Sequence, residues 1–389
     1  MTDQTPERQE RPRPKGSDPA SWPPPPPPAT TYPGQSGLPP GYVPGAPPYA
    51  GFPASAEPPE FPPYPHAEPL PYHLMLRNWT YVWWKPVAGL GLLLVLFLAV
   101  QFLVAGAFFV IAAVRPGSFL ENLEGLSDLS TITPEFLLLL NLSLGAMILA
   151  TWVTIRVVHR MRPRWLASVA PKMRWRFFWV CVGLSVVALV AQTGISLVLP
   201  GSEQVDLGGG VNDFTATTAA LALIVLLTTP FQAAGEEYLF RGYLMQAIGS
   251  LLGFRSDRWV QLMAKWTALF VTSFLFALAH GAQNFPLFFD RFMFGMIAGW
   301  LILHTGGLEV GIAMHILNNF LAFGFALTVG DLGESLNVSE ISWWNIPLTL
   351  TQSGVYALLV IMVARRMGIQ NRTRQPVAEP GPELAPATV

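Results

Sequence analysis

The chain has 389 residues, a formal net charge of −1 and a mean hydropathy of +0.41, with 51% hydrophobic and only 12% charged residues. Soluble domains carry about 25% charged residues, so this composition excludes a string of soluble domains and reads as a polytopic membrane protein. The near-zero charge leaves no basic face for nucleic acid. A lone cysteine, Cys181, excludes a disulfide framework and cysteine-based zinc or redox motifs.

Residues 1–72 hold 24 of the 37 prolines, including the run Pro23 to Pro28, and show no apolar period of 2 or 3.6. Such a segment cannot bury enough surface to offset its ordering entropy. We expect a disordered cytoplasmic tail with polyproline II character that could dock a partner's aromatic groove. Residues 1–30 contain no apolar core followed by a cleavage site, so this is not read as a signal peptide.

Charge-free runs then follow at Val87–Val114, Phe136–Ile155 and Phe177–Leu199, each long enough to cross a bilayer. Trp79, Tyr81, Trp83 and Trp84 precede the first as an interfacial belt. Between the second and third lie Arg156, Arg160, Arg162, Arg164, Lys172, Arg174 and Arg176 with no acid, which assigns residues 156–176 to the cytoplasm. By alternation, 115–135 and 200–216, with Glu203, Asp206 and Asp213, lie outside.

A fourth span starts near Thr217 and runs toward Leu252; spans five to eight are Trp266–His280, Phe292–Leu303, Val310–Val329 and Trp344–Val363. The fold class predicted is an all-α polytopic membrane protein with about eight transmembrane helices and a disordered proline-rich tail, both termini cytoplasmic, in the cell membrane. Its parts are the tail 1–72, helices one to three in 73–216, a core in 217–330, the last helix in 331–370 and a disordered end in 371–389.

Spans four, five and seven carry residues that are expensive in lipid: Glu236, Glu237 and Arg241; His280; His315, Asn318 and Asn319. An ionisable side chain at a helix centre costs about 2.5 kcal/mol or more in the bilayer, so these must face an interior or a wet cavity. Glu236 and Glu237 point about 100° apart on a helix. If Glu237 pairs with Arg241 one turn on, Glu236 is left to face the cavity. His315 and Asn319 share a face, as do Phe276 and His280. A carboxylate with an imidazole can activate water, and an imidazole with a carboxamide can stabilise an oxyanion. One tension arises from these boundaries. His315 falls about 8 Å inside the cytoplasmic end of its span, whereas His280 falls about 21 Å from the start of its own.

Glu236-Glu237-Tyr-Leu-Phe-Arg241 fits EExxxR, Phe276-Ala-Leu-Ala-His280 fits FxxxH and His315-Ile-Leu-Asn-Asn319 fits HxxxN. In that order, over about residues 217–330, they resemble the CPBP intramembrane protease family. That family includes the CAAX-processing endopeptidase Rce1 and the bacteriocin self-immunity (Abi) proteins. The resemblance implies an endopeptidase, glutamate-dependent or metallo, cutting a membrane protein or peptide substrate. Glu236 with His280 would activate water, His315 and Asn319 would stabilise the oxyanion, and Glu237, Arg241 and Phe276 would support the site. No cofactor is required in that reading, although Glu236, His280 and His315 could supply a zinc site. Gly306-Gly307-Leu308-Glu309 departs from the family, many members of which carry an aromatic near Glu309.

Intramembrane Glu and His also build proton relays, so a transporter is the competing class, and a scaffold that recruits partners through the tail is a third. The polar residues fall in the second half without a matching half-repeat, which disfavours transport. Gly295 and Gly299 are read as a helix-packing GxxxG pair. His304 is assigned to the interface, His159 to the basic loop, and His66 and His73 to the tail or its edge, none of them joining the site.

Overall fold

A computed structural model describes residues 65–66, 68–199, 211–281, 284–338 and 340–374, all within one unit spanning 59–389. Most of the expected N-terminal tail, residues 375–389, Glu203 and Asp206 lie outside the described residues. Among the described residues, eight helices are long and apolar enough to cross a membrane. They are α1 (Trp84–Val114), α2 (Pro134–Val158), α3 (Trp175–Ser196), α4 (Ala216–Leu252), α5 (Arg258–Ala279), α6 (Phe285–Thr305), α7 (Glu309–Thr328) and α8 (Asn345–Arg366). The described residues contain two isolated β-bridges and no strand.

Three of these helices start at polar caps: Thr133 accepts from the amide of Phe136, Thr215 from that of Thr218 and Asn284 from that of Leu287. Each cap satisfies an amide that the first turn leaves unpaired. Two boundaries differ from the sequence reading. Helix α5 begins at Arg258, not Trp266, and α6 begins at Phe285, not Phe292, which brings Asp290 and Arg291 into the sixth helix. Charged residues were read as helix ends, but a hydrogen-bonded helix runs through them when its charges find partners or snorkel.

Helices α4 and α7 pack against each other; α2 covers α4, α3 joins α7 to α8, and α5 and α6 pair on the far side. Helix α1 is peripheral, with no residue of its most apolar stretch buried. At 37 residues, α4 is about 55 Å long, nearly twice the hydrocarbon thickness. It contains Pro230 and widens into a π-turn over Tyr238–Leu244, directly after the paired glutamates. Gly235 lies against the backbone of Leu144 and Gly145, where a Cβ would collide with the Leu144 carbonyl. That contact brings α4 close against the middle of α2, which itself breaks at Ala146.

Packing already includes Pro65, His66 and residues 70–76, so the compositional boundary at 72 falls inside a packed segment. Tyr72 is fully buried and donates its hydroxyl to the Leu166 carbonyl at 2.5 Å. The Leu70 amide donates to Thr373 Oγ1 at 2.9 Å, and Pro71 bridges to Arg372 after α8. His66 and His73, assigned to the tail, are buried. His66 donates from Nε2 to the Met75 carbonyl at 2.7 Å. His159 is buried rather than displayed on the basic loop, with Nε2 2.9 Å from the Tyr243 hydroxyl.

Burial holds His73 down at about 4, helped by Lys265 and Arg372, and holds His159 at about 4 with a smaller contribution from Lys85. Both are depressed from 6.5, so the unfolded chain takes up protons that the folded chain refuses. Their neutral forms support the fold fully above pH 6.5, and that support is lost as the pH falls toward 4. We expect the detergent-solubilised melting temperature to be flat above pH 6.5 and to drop between 6.5 and 4. The double variant His73→Leu, His159→Leu should flatten that drop; an unchanged drop would assign acid sensitivity elsewhere.

Candidate active site

Glu236 and Glu237 lie in α4 immediately before the π-turn, and both are buried, at 5% and 0% exposure. Their neighbours separate them. Glu237 Oε1 accepts from Arg241 Nη1 at 2.9 Å and from His315 Nδ1 at 3.1 Å. Glu236 Oε1 accepts from Gln232 Nε2, one turn earlier on α4. Glu236 Oε2 has no hydrogen-bond partner; it faces His280 Nε2 at 3.6 Å and His315 Nε2 at 3.9 Å.

The histidine orientations follow from their other nitrogens. His280 Nδ1 donates to the Phe276 carbonyl at 2.8 Å, one helical turn back. With both Nδ1 atoms committed to acceptors, both Nε2 atoms are turned toward Glu236 Oε2. In neutral imidazoles these nitrogens carry lone pairs. Two lone pairs and a carboxylate oxygen thus meet at one point, an arrangement that asks for a proton, a water or a cation between them.

Phe276 forms the wall behind this point. Its ring centroid is 4.3 Å from that of His280 and 5.8 Å from that of His315, and the Arg241 guanidinium carbon lies 4.1 Å from it. Cation–π stacking of this kind offsets part of the cost of burying the guanidinium. Two glycines make room for the ion pair: a Cβ at Gly311 would come 2.7 Å from Glu237 Oε2, and one at Gly295 would come 3.0 Å from Arg241 Nη2. Gly295 and Gly299 also bring α6 against Ser273 and Leu269 of α5, the role expected of that pair.

The depth mismatch expected between His280 and His315 is absorbed by stagger. Helix α5 starts beside the last turns of α4 (Met245–Leu252), so about 33 Å of rise carries His280 up to Glu236. Helix α7 starts far higher, and about 9 Å suffices for His315. That start is fixed by buried Glu309, whose carboxylate accepts from Arg174 Nε at 2.8 Å and from Nη2 at 2.7 Å. The basic loop read for orientation therefore also sets the register of α7.

Glu236, Glu237, His280, His315 and Asn319, all read as site residues, meet here, with Arg241 and Phe276 beside them. Asn319 differs from expectation in its partner. Its Nδ2 donates to Gln232 Oε1 at 2.9 Å, so Gln232 links Asn319 to Glu236 across two helices. The sequence reading passed over Gln232, although its position four residues before Glu236 puts it on the same helical face. Also passed over were Asn141, Gln352 and Arg291. Asn141 donates to Thr228 Oγ1 at 2.8 Å, Gln352 donates to Asn318 Oδ1 at 3.3 Å, and Arg291 lines the same cavity as Glu236. The cavity has a volume of about 690 Å³, polar on α4, α5 and α7 and apolar where Leu90, Leu93 and Phe97 of α1 close it.

Breaking a buried pair strands a charge, at about 3–5 kcal/mol. We therefore expect Glu237→Gln to lower the melting temperature and yield markedly in detergent, and to free His315 Nδ1. Arg241→Gln should do the same, and the double variant should recover part of the loss. Unaltered melting in both single variants would show that the pair is not held as described.

No curated protein and no solved structure matches this chain. One family model does, over residues 218–321, described as type II CAAX prenyl endopeptidase Rce1-like. The matched stretch opens in the third residue of α4 and closes two residues after Asn319, and so takes in Glu236, Glu237, His280, His315 and Asn319 but not Asn141 or Gln352. Residues 218–321 are an Rce1-like, CPBP-type domain set within an eight-helix membrane protein.

Proposed function

We propose that this protein is an intramembrane endopeptidase that hydrolyses a peptide bond of a membrane-associated protein or peptide with Glu236 as general base. The observation that carries the reading is the unpartnered Glu236 Oε2 facing two oriented imidazole nitrogens. Separations of 3.6 and 3.9 Å are too long for direct hydrogen bonds but are spanned by one water, which donates to Glu236 Oε2 and to His280 Nε2.

In the proposed reaction this water attacks the carbonyl carbon of the substrate and its proton passes to Glu236. The carbonyl π electrons move to oxygen, and the oxyanion accepts from Asn319 Nδ2, released from Gln232, and from His315 Nε2, which has taken a proton from solvent before the substrate enters and whose charge Glu237 balances. Collapse of the tetrahedral intermediate breaks the C–N bond, and Glu236 returns the proton to the departing amine. The buried Glu237–Arg241 pair keeps His315 in place and takes no proton in this sequence.

Two imidazoles and a carboxylate are also the donor types of an open zinc centre. Ligand atoms around one tetrahedral zinc stand about 3.3 Å apart, given bonds of about 2.0–2.1 Å. Glu236 Oε2 is farther than that from both nitrogens, and no group of three His, Cys, Asp or Glu among the described residues is arranged to hold a metal. These separations favour the metal-free reading, and the proposed reaction uses side chains alone. Zinc at one equivalent in the purified protein, lost in His280→Ala, together with chelator inhibition reversed by zinc, would reassign Glu236 as a ligand.

Glu236→Gln keeps shape and removes the base, so turnover of a quenched-fluorescent peptide should vanish with melting unchanged. His280→Ala should match it, and the double variant should be little worse. Asn319→Ala should lose about 10²–10³-fold in rate while remaining measurable. Normal cleavage by Glu236→Gln and His280→Ala together would end the hydrolase reading.

We further propose that both termini face the cytoplasm of a cell-membrane protein, from the seven basic residues between 156 and 176. Lys172 and Asp128 are both exposed and sit on opposite expected sides. With Cys181 replaced by Ser, an impermeant thiol reagent on intact cells should label Asp128→Cys and not Lys172→Cys; the converse would invert the topology.

A further inference from the structure

Gln232 touches both the base and the oxyanion donor of the proposed reaction. It sits one turn before Glu236 on α4, is buried, and lines the cavity together with Glu236 and Asn319. Its Nε2 donates to Glu236 Oε1, and its Oε1 accepts from Asn319 Nδ2 at 2.9 Å. One planar carboxamide thus gives a donor to α4 and an acceptor to α7. The neighbouring amide on α7 is engaged elsewhere, because Asn318 Oδ1 accepts from Gln352 of α8 at 3.3 Å.

An amide–amide bond between membrane helices often serves only to hold them together. This one borders the cavity, and the proposed chemistry requires it to open, since the oxyanion takes Asn319 Nδ2 away. Gln232 Oε1 is then a buried carbonyl without a donor, which is costly unless the substrate supplies one. A peptide backbone can. In an extended chain the N–H and C=O of one residue point to the same side, which is how a neighbouring antiparallel strand engages both at once. Gln232 Oε1 and Asn319 Nδ2 stand side by side as an acceptor and a donor, the complement of that edge.

Resting on the hydrolase reading above, we propose that Gln232 Oε1 accepts the backbone N–H of the residue whose carbonyl is attacked, while Asn319 Nδ2 donates to that carbonyl. The resting bond between the two amides is exchanged for two bonds to the substrate, and the contact from Gln232 Nε2 to Glu236 stays in place. The pair therefore selects an extended segment with a free N–H at that residue. A proline, an N-methyl residue or an ester linkage there brings no donor and leaves the Gln232 carbonyl unpaired. A site built around a hydrogen bond rejects an analogue that lacks it far more strongly than an apolar pocket rejects a change of size. Gln232 binds and positions in this assignment and exchanges no proton.

The test leaves the cleaved bond untouched. Once the cut in the quenched-fluorescent peptide is mapped by mass spectrometry, a second form is made in which an ester oxygen replaces the N–H of the residue bearing the attacked carbonyl. The scissile amide is the same in both forms. We expect the full-length protein to prefer the amide form by about 10- to 100-fold in kcat/KM, the range set by leaving a buried acceptor unpaired. Gln232→Met, similar in size but without the acceptor, should bring that ratio near one. Gln232→Glu keeps an acceptor oxygen and should keep most of the preference, while its overall rate falls with the lost donor to Glu236. Melting temperatures of all variants are compared.

Equal turnover of the two forms by the parent protein, or an undiminished preference in Gln232→Met, overturns the proposal. So does loss of the preference in Gln232→Glu at unchanged melting. An ester placed one residue farther from the cut serves as the control: a penalty there that also depends on Gln232 would mean a general loosening of the cavity, and would overturn the assignment to one N–H. Failure of the hydrolase reading looks different. A parent protein that cuts neither form ends that reading and this contact with it, whereas a parent that cuts both alike keeps the reading and loses only the contact.

Discussion

A carboxylate and a guanidinium, both shielded from water, lie at the centre of this bundle, and most of the local architecture answers their presence. Glu237 and Arg241 are one turn apart on α4 and fully buried. Isolated, either charge would be prohibitive in so apolar a setting; together they still require the rest of their bonding capacity to be met. His315 of α7 meets part of it through Nδ1, Phe276 of α5 lies against the guanidinium, and Gly295 of α6 and Gly311 of α7 stand back to admit the two head groups. Four helices are thereby registered against one ion pair. Moving any of them by a residue would leave a charge exposed to lipid or pressed against a Cβ.

The neighbouring carboxylate lives under different rules. Glu236 differs from Glu237 by one position and about 100° of helix, yet its unpartnered Oε2 faces two imidazole nitrogens, whereas that of Glu237 stands against Gly311. Two adjacent identical side chains thus acquire separate duties through environment, one locked in an ion pair and one facing the cavity. The π-turn that follows them widens α4 at the level where α5 and α7 approach it. Such turns concentrate at functional sites, where the extra residue re-aims side chains that a regular helix would stack.

Much of this was legible beforehand because lipid makes polar residues conspicuous. Glu236, His280, His315 and Asn319 stand out against their spans, and the i, i+4 spacing of Glu237 and Arg241 announces their pairing. The eight spans followed from hydrophobic length and their order from alternation. Gln232 and Gln352 were overlooked because an uncharged amide in an apolar run costs little enough to pass as background. Arg291 was overlooked for another reason: a charge was taken to mark the end of a helix, so its span was begun at Phe292, seven residues after the helix starts. The stagger of α5 against α7 was not readable at all, since axial offset depends on loop geometry and on the Arg174–Glu309 contact rather than on any periodicity. His66, His73 and His159 were misplaced because composition assigns a proline-rich neighbourhood, or a basic one, to solvent as a block.

Of the groups gathered around the unpartnered oxygen, Glu236 and His315 are interior to long helices, whereas His280 is the C-cap of α5 and is followed by Gly281 in the left-handed region at φ +63°. The first two are held by backbone on both sides. His280 is held on one side only, by its bond to the Phe276 carbonyl and by the ring beneath it. The centre is therefore built like a vice, with two fixed jaws and a third on a screw. A change in the torsions of this terminal residue alters the gap between acid and imidazole at less cost than the same change within α4 or α7, where both neighbours are bonded into helix.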